Sequence, residues 1–321
     1  MGRLQEFMMG RHGSRPWPHR SHDERIQRSA STLLLLTFLI ALAGCGKARD
    51  KARLDLAQMN ISYTDAAFID NARQGNSDVV KLFLDAGMDI EVRTTGGQTA
   101  LMIAALANQT DVVKVLIEKG ADVNAKNKYK GTALMTAAWK GHAEIARLLL
   151  AENADLSLKD DRGMTALMFG AWENHTEIVK ALLDKGAEVD ARDVNGWTAL
   201  MRAAFKGYTD TVVALIEKGA DVNAGSQKGE NALISAAEGG HASTVRVLLE
   251  RNANINAQDS EKKTALLMAV EKGHTEVAQT LIQKGADLNA TDISGKTALN
   301  LAEDQRRAEI IKLLKNAGTT Q

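Results

Sequence analysis

From about residue 62 onward the chain repeats itself every 33 residues, and no insertion or deletion breaks the step. Thr-Ala-Leu begins at Thr99, Thr132, Thr165, Thr198, Thr264 and Thr297, and Asn231 fills the one place where the Thr is missing. A second marker, Gly-Ala-Asp or a close variant, keeps the same register. It is led by Gly120, Asn153, Gly186, Gly219, Asn252 and Gly285, with Gly87 and Gly318 at the two ends. A fixed period of this length signifies a solenoid whose units have no core of their own and bury their apolar faces by stacking. Several separate globular domains, which 321 residues would otherwise suggest, are therefore not expected.

One unit shows how the chemistry works. Thr132 carries a hydroxyl suited to cap the helix that follows. Leu134, Ala137 and Ala138 share a face, and the alanines allow close approach. Gly141-His142 ends that helix. A second helix then places Ile145, Leu148 and Leu149 at three- and four-residue spacing. Asn153 supplies the left-handed residue that closes it, where other units use Gly. A polar, hairpin-like connection leads to the next unit. Prolines are confined to Pro16 and Pro18, so no later helix is interrupted by one.

On these motifs, residues 62–321 resemble ankyrin repeats. The resemblance implies an all-α solenoid of about eight units, approximately 62–93, 94–126, 127–159, 160–192, 193–225, 226–258, 259–291 and 292–321, with the outer two acting as caps. The family's usual Thr-Pro-Leu-His is Thr-Ala-Leu-Met here, as at Thr132–Met135, so the Thr–His hydrogen bond of the family is not expected. Methionine packs adaptably in that position.

The amino terminus has a different character. Residues 1–44 carry six Arg against three acids, and Leu33 to Ala43 form an apolar run of eleven residues. That run is too short to span a membrane, which takes about 20 residues, but it has the length of a signal-peptide core. It ends in Leu42-Ala43-Gly44-Cys45, which resembles the bacterial lipoprotein signal motif, and Cys45 is the only cysteine. The resemblance implies a signal peptide over 1–44, lipidation at Cys45, a linker over 45–61, and acyl chains that anchor the mature protein in a membrane. Gly46 takes the place where an Asp would signal inner-membrane retention. In a Gram-negative host this implies an outer-membrane anchor facing the periplasm. The basic stretch is long, which leaves Met8 or Met9 as alternative starts. A start near Met59 would instead place the repeats in the cytoplasm.

Catalytic constellations are wanting. His142, His175, His241 and His274 occupy one position in their units, so neighbours lie roughly 8–10 Å apart, too far for shared zinc ligation. The resemblance assigns them to loop backbone. Ser235 and Ser243 lack a Gly-rich elbow, and Asp160–Asp161 falls in a connection. No enzyme activity, cofactor, metal or small-molecule substrate is expected. The formal net charge of zero, with a slightly acidic body beyond residue 44, does not favour nucleic acid.

Arrays of this kind bind through hairpin tips and the exposed face of the first helices. One register position there reads Leu106, Trp139, Trp172, Phe205, Glu238, Glu271, Asp304, and the tips add Tyr129, Met164 and Trp197. Five of the ten aromatic residues beyond residue 44 fall in this set. Clustered exposed rings mark interaction sites, and the three acids predict an acidic tract that orients a partner with some positive charge. The competing reading half-buries the rings between neighbouring helices. The function expected is a monomeric, membrane-tethered scaffold for a protein partner. The alternatives are a structural part of an envelope assembly, or a cytosolic regulator if the signal is not used.

Overall fold

The computed structural model describes residues 46–318, so the apolar run and Cys45 lie outside the described residues. The chain divides into two compact units, Met1–Lys51 and Ala52–Gln321. The second is the repeat stack, and among its described residues eight helix pairs follow one another. The first pair is Asp65–Gln74 and Ser77–Asp85, the third Ala133–Lys140 and Ala143–Ala151, and the last Ala298–Asp304 and Ala308–Gly318.

Each first helix starts where the sequence places a capping side chain, a Thr hydroxyl in all but one repeat. Thr132 accepts a hydrogen bond from the Met135 backbone N–H at 3.2 Å, and Thr99, Thr165, Thr198 and Thr264 repeat the bond. Asn231 accepts from Ile234 at 2.9 Å, which explains why the motif tolerates Asn there. The methionines that replace the family's histidine, Met102, Met135, Met168 and Met201, are all buried. Packing has taken over a position that elsewhere carries a polar contact.

Second helices close on left-handed residues, Asn153 and Asn252 standing where other units have Gly. Hairpin tips are tied in a ladder: Lys128 N–H donates to Gly96 O, Asp161 to Tyr129 O, Val194 to Arg162 O, and the pattern continues to Ile293 on Glu261 O. This ladder joins neighbouring tips along the stack, although among the described residues only isolated β-bridges arise, at Arg93–Thr99 and Thr291–Thr297. One hydrophobic core runs from Ala52 to Leu314.

Residues 46–58, which the sequence reading treats as linker, are helical. Lys, Arg, Ala and Leu there are good helix formers, and no Pro or Gly intervenes after Gly46. Ala52 and Leu56, four residues apart, are both buried. Beside them Tyr63 stacks on Phe83 with centroids 5.7 Å apart, and the Arg53 guanidinium lies 4.9 Å from the Tyr63 ring. Ala52, Arg53, Leu56 and Tyr63 thus pack against the apolar end of the first repeat.

Candidate functional site

The first helices of the second to fourth repeats, the hairpins over 127–131 and 160–164, and Arg202 from the fifth repeat frame a cleft of about 660 Å³. Leu106, Tyr129, Trp139, Met164 and Trp172 line it together. Trp197 and Phe205 join from the side: Phe205 stacks on Trp172 at 6.2 Å and 5° between planes, and meets Trp197 edge-on at 6.0 Å. Exposure is graded across the set. Tyr129 (72% exposed) and Trp139 (43%) project outward, whereas Leu106, Trp172, Trp197 and Phe205 are half-buried and Met164 is buried. The binding surface and the half-buried packing are thus both present, on different rings.

The expected acidic tract is not free charge. Glu238 pairs with Lys272 at 2.9 Å, Glu271 with Lys263 at 2.8 Å and Asp304 with Lys296 at 2.6 Å. The hydrogen bond from Lys263 to Glu271 raises the lysine's pKa above its ordinary value. None of the three acids lines the cleft. A lysine from the hairpin or a neighbouring helix meets each carboxylate, a pairing that depends on contacts between different parts of the stack.

Arg202 is the residue that the register reading overlooks. In the second to eighth repeats its position otherwise holds Ile103, Thr136, Phe169, Ser235, Met268 and Leu301, so it is the one charged side chain in that column. Its guanidinium lies 5.5 Å from the Trp172 ring and 5.9 Å from Trp197, and pairs with Asp193. Both side chains are largely buried. Burial lowers the Arg202 pKa from its ordinary value, against the pull of Asp193. The other oxygen of Asp193 accepts from Asn195 N–H at 2.8 Å and Trp197 N–H at 2.9 Å, fixing the hairpin tip. The indole N–H groups are also engaged, Trp139 with Glu173 at 3.2 Å and Trp197 with Glu230 at 3.1 Å.

The histidines turn out to support this surface. His142, His175, His241 and His274 place Nε2 against the carbonyls of Leu106, Trp139, Phe205 and Glu238, at 3.4, 3.2, 3.0 and 2.9 Å. Gln109 donates in the same way to Arg73 O at 3.0 Å. Each imidazole therefore ties down the backbone of the preceding repeat at the register position shared by Leu106, Trp139, Phe205 and Glu238. Among the described residues no group of His, Cys, Asp and Glu could hold a metal ion, and no helix is long and apolar enough to cross a membrane.

The family model described as ankyrin repeats (3 copies) matches residues 66–160, 125–193, 189–259, 218–292 and 254–320 in overlapping segments. The chain belongs to the ankyrin-repeat family. A search of curated proteins finds none that matches. Ankyrin stacks are in general non-catalytic modules for protein–protein interaction, and the aromatic cleft is the part of this stack with the composition of an interface core.

Proposed function

We propose that the protein is a membrane-tethered, non-catalytic scaffold that captures a protein partner in the aromatic cleft of its second to fifth ankyrin repeats. The observation that carries the reading is the juxtaposition of Tyr129 and Trp139, two of the few exposed large apolar side chains among the described residues, over a single cleft. Aromatic anchors of this kind dominate binding energy when a partner excludes water from them. The tether rests on the sequence alone, on Leu42-Ala43-Gly44-Cys45 after a basic stretch and an apolar run.

Two experiments test the two halves. A photo-crosslinking residue at position 129 is expected to trap one protein in intact cells, while the same residue at position 304 traps none. Equal crosslinking at both positions would favour the structural-assembly reading, in which contacts spread along the stack. Cys45→Ser is expected to move the protein from the membrane fraction to the soluble one. Unchanged fractionation would remove the tether from the proposal.

A further inference from the structure

The cations around the cleft divide into two groups. Lys130, Arg162 and Arg202 each meet a carboxylate, on Asp161, Asp160 and Asp193. Lys140 and Lys206 do not. The Lys140 ammonium sits 3.7 Å from the Trp139 ring centroid and that of Lys206 sits 4.6 Å from Trp172. Among the described residues neither has an ion pair or a hydrogen bond. Both side chains are exposed. Glu173, which lines the cleft and has no ion pair among the described residues, accepts the Trp139 indole N–H.

We infer that the partner of this cleft is an acidic, apolar polypeptide segment, whose hydrophobic side chain enters between Tyr129 and Trp139 while its carboxylates meet Lys140 and Lys206. This rests on the binding reading above and reverses the charge that the sequence assigns to the partner. The lysine-neutralised acids Glu238, Glu271 and Asp304 offer a cationic partner little, whereas the two unpaired ammonium groups lie on the rings themselves. A carboxylate delivered there forms its ion pair on an apolar floor from which binding expels water, where the attraction is screened less than at an open surface. Complementary charge of this kind sets partner choice and association rate more than raw affinity.

The test uses a library of random dodecapeptides displayed on phage, selected against the full chain. Enriched peptides are synthesised and their affinities measured by fluorescence anisotropy for the parent protein, for Tyr129→Ala with Trp139→Ala, and for Lys140→Glu with Lys206→Glu. Circular dichroism melting confirms that each variant is folded. Peptides that depend on Tyr129 and Trp139 are expected to carry net negative charge beside an aromatic or aliphatic residue. The double lysine reversal is expected to weaken them about tenfold, a loss that raised salt reproduces in the parent. Ring-dependent peptides that are neutral or basic, or that ignore the lysine reversal, overturn this inference and leave the cleft as a binding site. If no enriched peptide depends on the two rings, the binding reading fails and this inference with it.

Discussion

At the residue scale, the site turns on side chains that only the folded stack brings into play. Arg202 stands in a column of apolar and small polar residues, and its charge is tolerated because Asp193 and two indoles surround it. Removing one member of a buried pair strands the other. Arg202→Met is therefore expected to destabilise the protein by about 3 kcal/mol, read as a lower urea midpoint. Adding Asp193→Asn is expected to recover most of that loss. The precedent lies within the chain: Asn127 occupies the equivalent position and its Oδ1 accepts from Tyr129 and Gly131 N–H, at 2.9 Å each. A double variant no more stable than Arg202→Met would show that the pair does not act as a unit. The anomaly at 202 is visible in the aligned repeats, but its meaning is not. Nothing in a linear register says that one tryptophan from the neighbouring helix and one from the hairpin will sit on the guanidinium.

His241 makes the second residue-scale case. Burial, and secondarily the nearby His274, lower its pKa below the ordinary 6.5, while its bond to Phe205 O works the other way. The unfolded chain then binds the proton more readily than the folded one. This contribution to stability is complete above pH 6.5 and declines as the pH falls below it. His241→Gln keeps a side-chain N–H for the carbonyl, as Gln109 does in its own repeat, and removes the titration. Its melting temperature is expected to fall less than that of the parent between pH 7.5 and pH 5.5. An unchanged pH slope would contradict the assignment to His241.

At the element scale, the glycines that end the helices differ by what comes next. Gly120 and Gly141 both have positive φ, 86° and 78°, so alanine strains the backbone at either. A Cβ on Gly120 meets nothing within 4 Å, whereas one on Gly141 lies 2.5 Å from the His175 ring. Gly120→Ala is expected to cost about 1 kcal/mol, and Gly141→Ala measurably more, because the imidazole must leave Trp139 O. Equal losses in a denaturation series would mean that the histidine yields freely. Helix positions and caps were legible in the sequence because each depends on residues three or four apart, and the repeat count because the 33-residue register is unbroken. The helix over 46–58 was not, since it lies outside the 33-residue register and only Ala52 and Leu56 reveal it. Leu56→Asp is expected to cost about 3 kcal/mol and to raise amide exchange mainly in residues 62–93. Uniform exchange over the whole stack would contradict a local capping role.

At the scale of the whole molecule, neighbour-only contacts let one surface specialise without rebuilding the rest. The same register position is apolar from Leu106 to Phe205 and acidic from Glu238 to Asp304. The second half is neutralised by lysines while the first opens into a cleft. That Leu106, Trp139, Trp172 and Phe205 lie along one face was readable from the sequence, because register converts directly into position on the stack. The charge pairing of the acids and the graded burial of the rings were not: Glu271 and Asp304 meet hairpin lysines of their own repeats, Glu238 meets Lys272 of the next, and the rings pack across repeats. That gradation also decides which rings test binding. Trp172 is stacked on Phe205 and shared with two cations, so its loss would disturb the fold as well as the surface. Tyr129 and Trp139 are the exposed pair. The most direct measurement therefore pairs partner capture with thermal melting for Tyr129→Ala plus Trp139→Ala. The account predicts that capture is lost while the melting temperature shifts by no more than about 3 °C. Capture that persists in this folded variant would contradict it.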